Sequence, residues 1–218
     1  MGLSPFQERL AVMIASLPAA DGFALAGGSG LAAHGLLERR TRDLDYFGRP
    51  VDADRVQALA AAIATTCDDL GLTVTRERDG GTFVRLVVAG AEEACEVDVA
   101  VDYRHLDVVA TPYGPALDVE ELAANKVLAI FDRAAPRDYV DLASLVHRVP
   151  VREAIELAQQ KDPGLDLQVL DAALERVTRI RAQDLGLSEG AREELLDEVG
   201  RWRGIVTQLQ RPGPEFGL

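Results

Sequence analysis

The stretch Gly27-Gly28-Ser29, followed by Arg40-Thr41-Arg42-Asp43-Leu44-Asp45, decides the fold of this chain. An apolar run, Phe23-Ala24-Leu25-Ala26, leads into the glycines and predicts a buried strand that ends in a tight turn. Asp43 and Asp45 lie two positions apart in a second strand-like segment, and residues i and i+2 of a strand share a face. Two carboxylates on one face repel each other unless a cation neutralises them. The pattern therefore predicts a divalent metal site beside a turn suited to a phosphate.

A further acidic residue, Asp98, lies inside the apolar segment 95–101. Cys95, Val97 and Val99 alternate there with Glu96 and Asp98, which predicts a strand with the acidic residues on one face. An acidic side chain within an apolar strand needs a partner. Asp98 is therefore the candidate third carboxylate, with a solvent-facing position at a sheet edge as the alternative.

Around this centre the sequence predicts alternating helices and strands. Ser4, Pro5 and Gln7 form a capping box that starts a helix, and Pro18 ends it. The pattern further predicts a short helix at 31–37, a long helix that starts at Asp52 or Asp54 and runs through Cys67, and a hairpin of strands 72–77 and 82–88.

The composition changes near residues 111–115, and only helical patterns follow. They are expected at 119–132, 136–148, 151–160, 165–181 and 188–209. The fold class is therefore α+β, with a mixed sheet and flanking helices in a first domain, 1–115, and a helical bundle in a second, 116–218.

Composition narrows the classes of function. A net charge of −13 counts against a general nucleic-acid coat protein, although Arg39, Arg40 and Arg42 form a local basic patch. Two distant cysteines without a CxxC pair suit a reducing cytosol. We see no signal peptide and no apolar run of the ~20 residues that cross a bilayer, so we expect a cytoplasmic protein without a membrane partner.

The motifs resemble the DNA polymerase beta nucleotidyltransferase superfamily. Its hG[GS], DxD and hDh signatures are similar to residues 26–29, 43–45 and 96–99. Two later segments resemble motifs of the AbiEii/AbiGii toxin family, to which the MenT toxins belong. These segments are Leu122-Ala123-Ala124-Asn125-Lys126-Val127-Leu128-Ala129 and Arg137-Asp138-Tyr139-Val140-Asp141-Leu142.

The resemblance implies a role for each matching position. Gly27, Gly28 and Ser29 would bind the triphosphate of an NTP, and Asp43, Asp45 and Asp98 would hold Mg²⁺, with Asp98 also a candidate for activating the attacking hydroxyl. Lys126 would neutralise phosphate charge, and Asp141 would lie near the nucleotide and help to orient Lys126 or a substrate group. The resemblance further implies a toxin with a cognate antitoxin, transfer to the 3′ end of tRNA, and silencing by phosphorylation at Thr41.

Each assignment has a simpler alternative. Lys126 could be an ordinary surface lysine, and Asp138 could only help to start a helix. Asp141 lies at i+4 from Arg137, which allows a local ion pair instead of a catalytic role. Arg39, Arg40 and Arg137 are candidates for substrate contacts or for solvated positions.

We therefore expect a Mg²⁺-dependent nucleotidyltransferase toxin that acts on tRNA. Two alternatives stay open. The same chemistry could serve a small hydroxylated molecule, such as an aminoglycoside, or a protein acceptor. An inactive fold that only binds a partner is the third possibility.

Overall fold

The computed structural model describes residues 2–37, 39–49 and 53–211. The chain divides into two compact units, Met1–Asp118 and Val119–Leu218. The boundary predicted between residues 115 and 116 would cut through the strand Gly114–Ala116, which belongs to the sheet of the first unit. The division therefore falls slightly later in the chain than the change in composition indicated.

The first unit combines one sheet with three helices in the part of the chain that the structure describes. In chain order its elements are α1 (Pro5–Ala15), β1 (Phe23–Ala26), α2 (Gly27–Ala33), β2 (Asp43–Gly48), α3 (Ala53–Asp69), β3 (Thr73–Asp79), β4 (Phe83–Ala89), β5 (Ala94–Val101), β6 (Val109–Thr111) and β7 (Gly114–Ala116).

The sheet is mixed, as predicted, with the strand order β3-β4-β5-β2-β1-β7-β6. β2 runs parallel to β5 and β1 runs parallel to β7, whereas the other neighbours are antiparallel. This order places β2, which carries the two aspartates, between β1 and β5 at the centre of the sheet. The glycine turn and the segment around Asp98 therefore belong to the two strands that flank β2.

Local signals set the ends of several elements. The Ser4 hydroxyl accepts a hydrogen bond from the backbone N–H of Gln7, and the Gln7 side chain accepts one from Ser4, which completes the predicted capping box of α1. The helix expected at 31–37 instead begins at Gly27, directly after β1. α3 begins at Ala53, and the alternative start at Asp52 lies outside the described residues.

The core of the first unit lies under one face of the sheet. Leu44, Val84, Val97 and Val99 are buried there against residues of α1 and α3, including Ile14 and Ile63. Both cysteines are buried core thiols, and burial raises the pKa of Cys95 to about 12. The alternating pattern of β2 and β4 thus buries every second side chain in the core, while Asp43, Asp45 and Arg85 lie on the opposite face beside apolar residues such as Phe83.

The second unit is entirely helical over its described residues. It contains α4 (Val119–Asp132), α5 (Pro136–Leu145), α6 (Val151–Lys161), α7 (Leu167–Glu175), α8 (Ala182–Leu185) and α9 (Glu189–Leu209). The single helix predicted at 165–181 is interrupted, because a 3₁₀ turn at Arg176–Arg179 follows α7. Trp202 is buried, and its indole N–H donates to Glu198, so this tryptophan packs within the bundle.

The described helices were compared with the length and hydropathy that a membrane-spanning helix needs. None of them is both long enough and apolar enough to cross a bilayer. The longest, α9, carries many charged residues along its length.

Candidate active site

The glycine turn brings the end of β1 into close contact with β2. Gly27 has a φ of +51°, and a Cβ atom there would lie 2.0 Å from Oδ2 of Asp45. A Cβ atom on Gly28 would lie 2.7 Å from Oγ1 of Thr41. Glycine is therefore required at both positions because two site residues occupy the space of a side chain.

Ser29 joins the turn to the aspartate strand. Its hydroxyl is fully buried, donates to the carbonyl of Ala26 at 2.9 Å and accepts the backbone N–H of Asp45 at 3.0 Å. These two bonds engage the side chain that the resemblance assigns to the triphosphate. Ser29 therefore acts, in this arrangement, by fixing the backbone that carries Asp45.

Gly27→Ala is expected to disable the site and to lower stability. A methyl group at this position displaces the Asp45 carboxylate and also meets the roughly 1–2 kcal/mol penalty of a left-handed alanine. Gly35→Ala is the matched control, because Gly35 has a φ of +70° but open space around its Cβ position. Urea unfolding should show a loss in both variants, whereas loss of nucleotide transfer should be confined to Gly27→Ala; equal transfer in the two variants would contradict the steric argument.

Asp43 and Asp45 lie on the polar face of β2. Both are half-buried and alternate with the buried Leu44 and Tyr46, so their side chains point to the same side. Thr41 is buried beside them, and its hydroxyl donates to Oδ1 of Asp43 at 3.0 Å. Thr41 thus contacts the first carboxylate directly instead of serving as a spacer between two arginines.

Asp98 joins this face through the register of the sheet. It lies opposite Asp45 on the parallel strand β5, and Glu96 lies opposite Asp43 in the same way. Paired residues on neighbouring strands project from the same face. The sequence thus placed Asp98 on the correct strand. The alternative of a solvent-facing position at a sheet edge is wrong, because Asp98 is buried and β5 lies between β4 and β2.

Asp98 has a partner that we did not predict. Arg85 of β4 lies opposite Asp98 and donates to both carboxylate oxygens, with Nε–Oδ1 and Nη2–Oδ2 distances of 2.7 and 2.6 Å. Its Nη1 also lies 3.1 Å from Oε2 of Glu96. The hydrogen bonds to Asp98 raise the pKa of the guanidinium above its ordinary value. A lone arginine between Val84 and Leu86 was the available signal, because a charge in an apolar strand requires a counter-charge.

The acidic face carries the chemistry of a divalent metal site only in part. Asp43 and Asp45 supply the carboxylate oxygens that Mg²⁺ prefers. Over residues 2–37, 39–49 and 53–211, however, no group of three or more His, Cys, Asp or Glu side chains is arranged to hold a metal ion. Asp98, the third carboxylate of this face, is instead held by its two-pronged bond to Arg85.

In the second unit, Lys126 is buried and forms ion pairs with two aspartates of α5. Its Nζ lies 2.7 Å from Oδ2 of Asp141 and 3.5 Å from Oδ1 of Asp138. Only 6% of Lys126 is exposed, which excludes the ordinary surface lysine. The ion pair of 2.7 Å places Asp141 directly against the ammonium group of Lys126.

Asp138 is part of the same cluster and does not cap its helix. It is fully buried and receives two hydrogen bonds of 3.0 Å from Arg133, while the N-cap of α5 is Ala135. The suggestion that Asp138 only starts the helix is therefore wrong. Sequence reasoning missed Arg133, because nothing in its neighbourhood indicates that the chain turns back between α4 and α5.

A second buried ion pair holds the helix that carries Lys126. Lys161 lies at the end of α6, and Glu121 lies in the first turn of α4. The distance from Nζ of Lys161 to Oε2 of Glu121 is 2.5 Å. The side chains of both residues are almost fully buried. This contact fixes α4 against α6 and thereby the position from which Lys126 projects.

The three candidate substrate arginines lie in different settings. Arg39 is half-buried, and its guanidinium lies 3.6 Å from the position that a Cβ atom would take on Gly28. Arg40 is exposed, and its backbone pairs with Gly2. Arg137 is exposed on α5, whereas Asp141 pairs with Lys126. The structure thus brings Arg39 to the glycine turn.

Comparison with known proteins agrees with this geometry. The family model described as "Nucleotidyl transferase AbiEii toxin, Type IV TA system" matches residues 10–214. The chain belongs to this family. A search of curated proteins gave no match. A crystal structure from H. pylori described as a "putative nucleotidyltransferase" is similar, with a TM-score of 0.56, 18% sequence identity and coverage of 94% of this chain and 95% of that one.

Membership of the AbiEii family establishes the general chemistry. The protein is a nucleotidyltransferase of a type IV toxin–antitoxin system, so an NTP substrate and an antitoxin partner follow from the family. The likeness to the H. pylori protein extends over nearly the whole chain and supports the fold. The AbiEii match spans both units, and so covers both the acidic face and the Lys126 cluster.

Proposed function

We propose that this AbiEii family member uses Mg²⁺ to transfer a nucleoside monophosphate from an NTP to the 3′ end of tRNA. The observation that carries the proposal is the pair Asp43 and Asp45, held on one face of β2 against the glycine turn. Such transfer would block aminoacylation and so explain toxicity. A cytoplasmic location follows from this choice of substrate.

Asp43 and Asp45 would hold the metal, because both offer half-buried carboxylate oxygens on the same face. When bound, the metal would neutralise charge on the triphosphate and on the leaving group. We assign the triphosphate to backbone N–H groups of the first turn of α2, where Gly27 and Gly28 permit close approach. Ser29 would support the metal site, because its hydroxyl accepts the backbone N–H of Asp45 and so holds that residue in place.

Lys126 would act as a point cation toward phosphate oxygens. An ammonium group has three N–H donors, and Asp141 and Asp138 account for two of them among the described contacts. The two aspartates fix the direction of the ammonium group, which leaves a donor for phosphate. Arg133 supports this geometry by holding Asp138 from the other side.

The acceptor is tested by label transfer. The protein is incubated with Mg²⁺, total RNA and each α-labelled NTP in turn, and separately with an aminoglycoside or a protein extract. We expect label on tRNA. We expect no label when the 3′-terminal diol of the RNA has been oxidised with periodate before the incubation. Label only on the aminoglycoside or protein would replace tRNA by that acceptor, an outcome that the net charge of −13 favours. A folded protein that labels nothing would support the partner-binding alternative.

Thr41 is the proposed point of regulation. Its hydroxyl lies 3.0 Å from Oδ1 of Asp43, so a phosphate there would add a charge of about −2 beside the metal carboxylates. Thr41→Glu is expected to reduce transfer by at least about 100-fold, whereas Thr41→Val should retain part of the activity, since it removes one hydrogen bond without adding charge. Initial rates of label transfer give the comparison, and full activity of the glutamate variant would refute the regulatory role.

A further inference from the structure

Arg85 lies among carboxylates on the polar face of the sheet. Its side chain is 25% exposed, and its guanidinium contacts both oxygens of Asp98 and one oxygen of Glu96. Asp98 is itself 6% exposed. An arginine fork matched to a carboxylate is the strongest common form of ion pair, because two parallel N–H bonds form at once.

The sheet register separates the acidic face into two pairs. Asp43 and Asp45 belong to β2, whereas Glu96 and Asp98 belong to β5 and lie directly opposite them. Arg85 approaches from β4, on the far side of β5 from β2. The guanidinium therefore neutralises the β5 pair, and it does so from the side away from Asp43 and Asp45.

We propose that Arg85 is a positioning residue that keeps Asp98 in an ion pair. The metal is then held through Asp43 and Asp45 and not through Asp98. The inference rests on the proposed metal role of Asp43 and Asp45. Both oxygens of Asp98 already accept short hydrogen bonds, so a metal ion at this carboxylate would compete with the guanidinium for its charge and its remaining lone pairs. Drawing Asp98 away would break the two-pronged ion pair of a partly buried guanidinium and leave it with its contact to Glu96, which is unfavourable.

The proposal predicts a specific coupling in the binding of Mn²⁺ alone. Mn²⁺ affinity is measured by calorimetry and by electron paramagnetic resonance, without nucleotide or acceptor. Asp98→Asn should lower the affinity by only about two- to fourfold, because it removes a nearby negative charge but no metal ligand. Arg85→Gln should raise the affinity about tenfold, because it frees Asp98 and Glu96 for the ion. Arg85→Gln/Asp98→Asn should lose most of that gain.

Two controls separate this coupling from general effects. Arg76→Gln removes a positive charge from β3, where Arg76 pairs with Asp79, and should leave Mn²⁺ affinity nearly unchanged. Thermal unfolding checks that each variant is folded. If Asp98→Asn does not fold, Glu96→Gln and Arg85→Lys take its place: the first alters a 44% exposed side chain and should not weaken Mn²⁺ binding, and the second should give an intermediate gain.

Two results would overturn the proposal. One is a loss of about tenfold or more in Mn²⁺ affinity on Asp98→Asn, which would make Asp98 a metal ligand. The other is an unchanged affinity on Arg85→Gln. Asp43→Asn distinguishes these failures from a failure of the proposed function, because retention of Mn²⁺ binding in that variant would refute the metal role of β2 itself. The acceptor does not enter the measurement.

Discussion

Lys126→Met is expected to lower the free energy of unfolding by about 3–5 kcal/mol, because it leaves two buried carboxylates without their shared cation. Asp141 would lose an ion pair of 2.7 Å, while Asp138 would keep its bonds to Arg133. Nucleotide transfer should be lost as well. Urea unfolding and label transfer measure the two effects separately.

Removing the carboxylate that loses this ion pair tests the cause. Lys126→Met/Asp141→Leu should recover much of the lost stability, since an apolar pair of similar volume replaces a buried ion pair at little cost. It should not recover transfer, because the cation is still missing. Arg152→Met provides the control, since the pair with Glu156 is exposed and is worth only about 0–1 kcal/mol. Recovery of transfer in the double variant would remove Lys126 from the chemistry.

Asp43→Asn is expected to reduce nucleotide transfer by at least about 10²–10³-fold, the usual range for loss of an electrostatic group in an active site. The amide keeps the shape of the carboxylate and can still accept the hydrogen bond from Thr41, so the fold should persist. The change removes one of the two carboxylates of β2 that would hold the metal. Transfer rates at several Mg²⁺ concentrations check the prediction.

The matched control for this change is Asp79→Asn, at the end of β3. Asp79 is a half-exposed acidic residue that pairs with Arg76 and Gln57, and it carries the same charge change without touching the acidic face. Its transfer rate should stay close to that of the unchanged protein. If both variants lost activity equally, net charge and not the site would be responsible.

Local sequence patterns sufficed for the elements that carry the chemistry. β1 and α4 have the bounds that the sequence predicts, and β2 contains both aspartates of the predicted strand. These segments carry strong local signals: an apolar run closed by glycines, an alternation of aspartates with apolar residues, and a helical period that begins after Asp118. Alternation within residues 95–101 likewise predicted that Glu96 and Asp98 would share a face.

Other elements depend on contacts that a local pattern does not contain. α2 begins at Gly27 and not at Leu31, although glycine is a poor helix former, because close packing against Asp45 and Thr41 outweighs its low propensity. β6 and β7 were not predicted. Each has three residues, and β7 contains Pro115. They form strands because β7 pairs with β1 on one side and with β6 on the other.

The partners of the charged site residues were also beyond the sequence. Arg85 meets Asp98 only once the register of β4 against β5 is known, and Arg133 meets Asp138 only once α5 folds back toward α4. The aspartates of the sheet, Lys126 and Asp141 were thus placed on their elements by their own motifs, whereas the glycines were not. The surrounding cations that decide how these carboxylates behave had to come from the structure.

The parallel pairing of β1 with β7 has a consequence for synthesis of the chain. Leu25 lies opposite Ala116, and the backbone N–H of Leu117 donates to the carbonyl oxygen of Leu25 at 2.9 Å. Until residues 114–117 have left the ribosome, the outer edge of the wholly apolar β1 has no strand beside it. Pairing across so long a segment is slow, and an open apolar edge recruits other chains. A nascent toxin that terminates before Gly114 is therefore expected to aggregate.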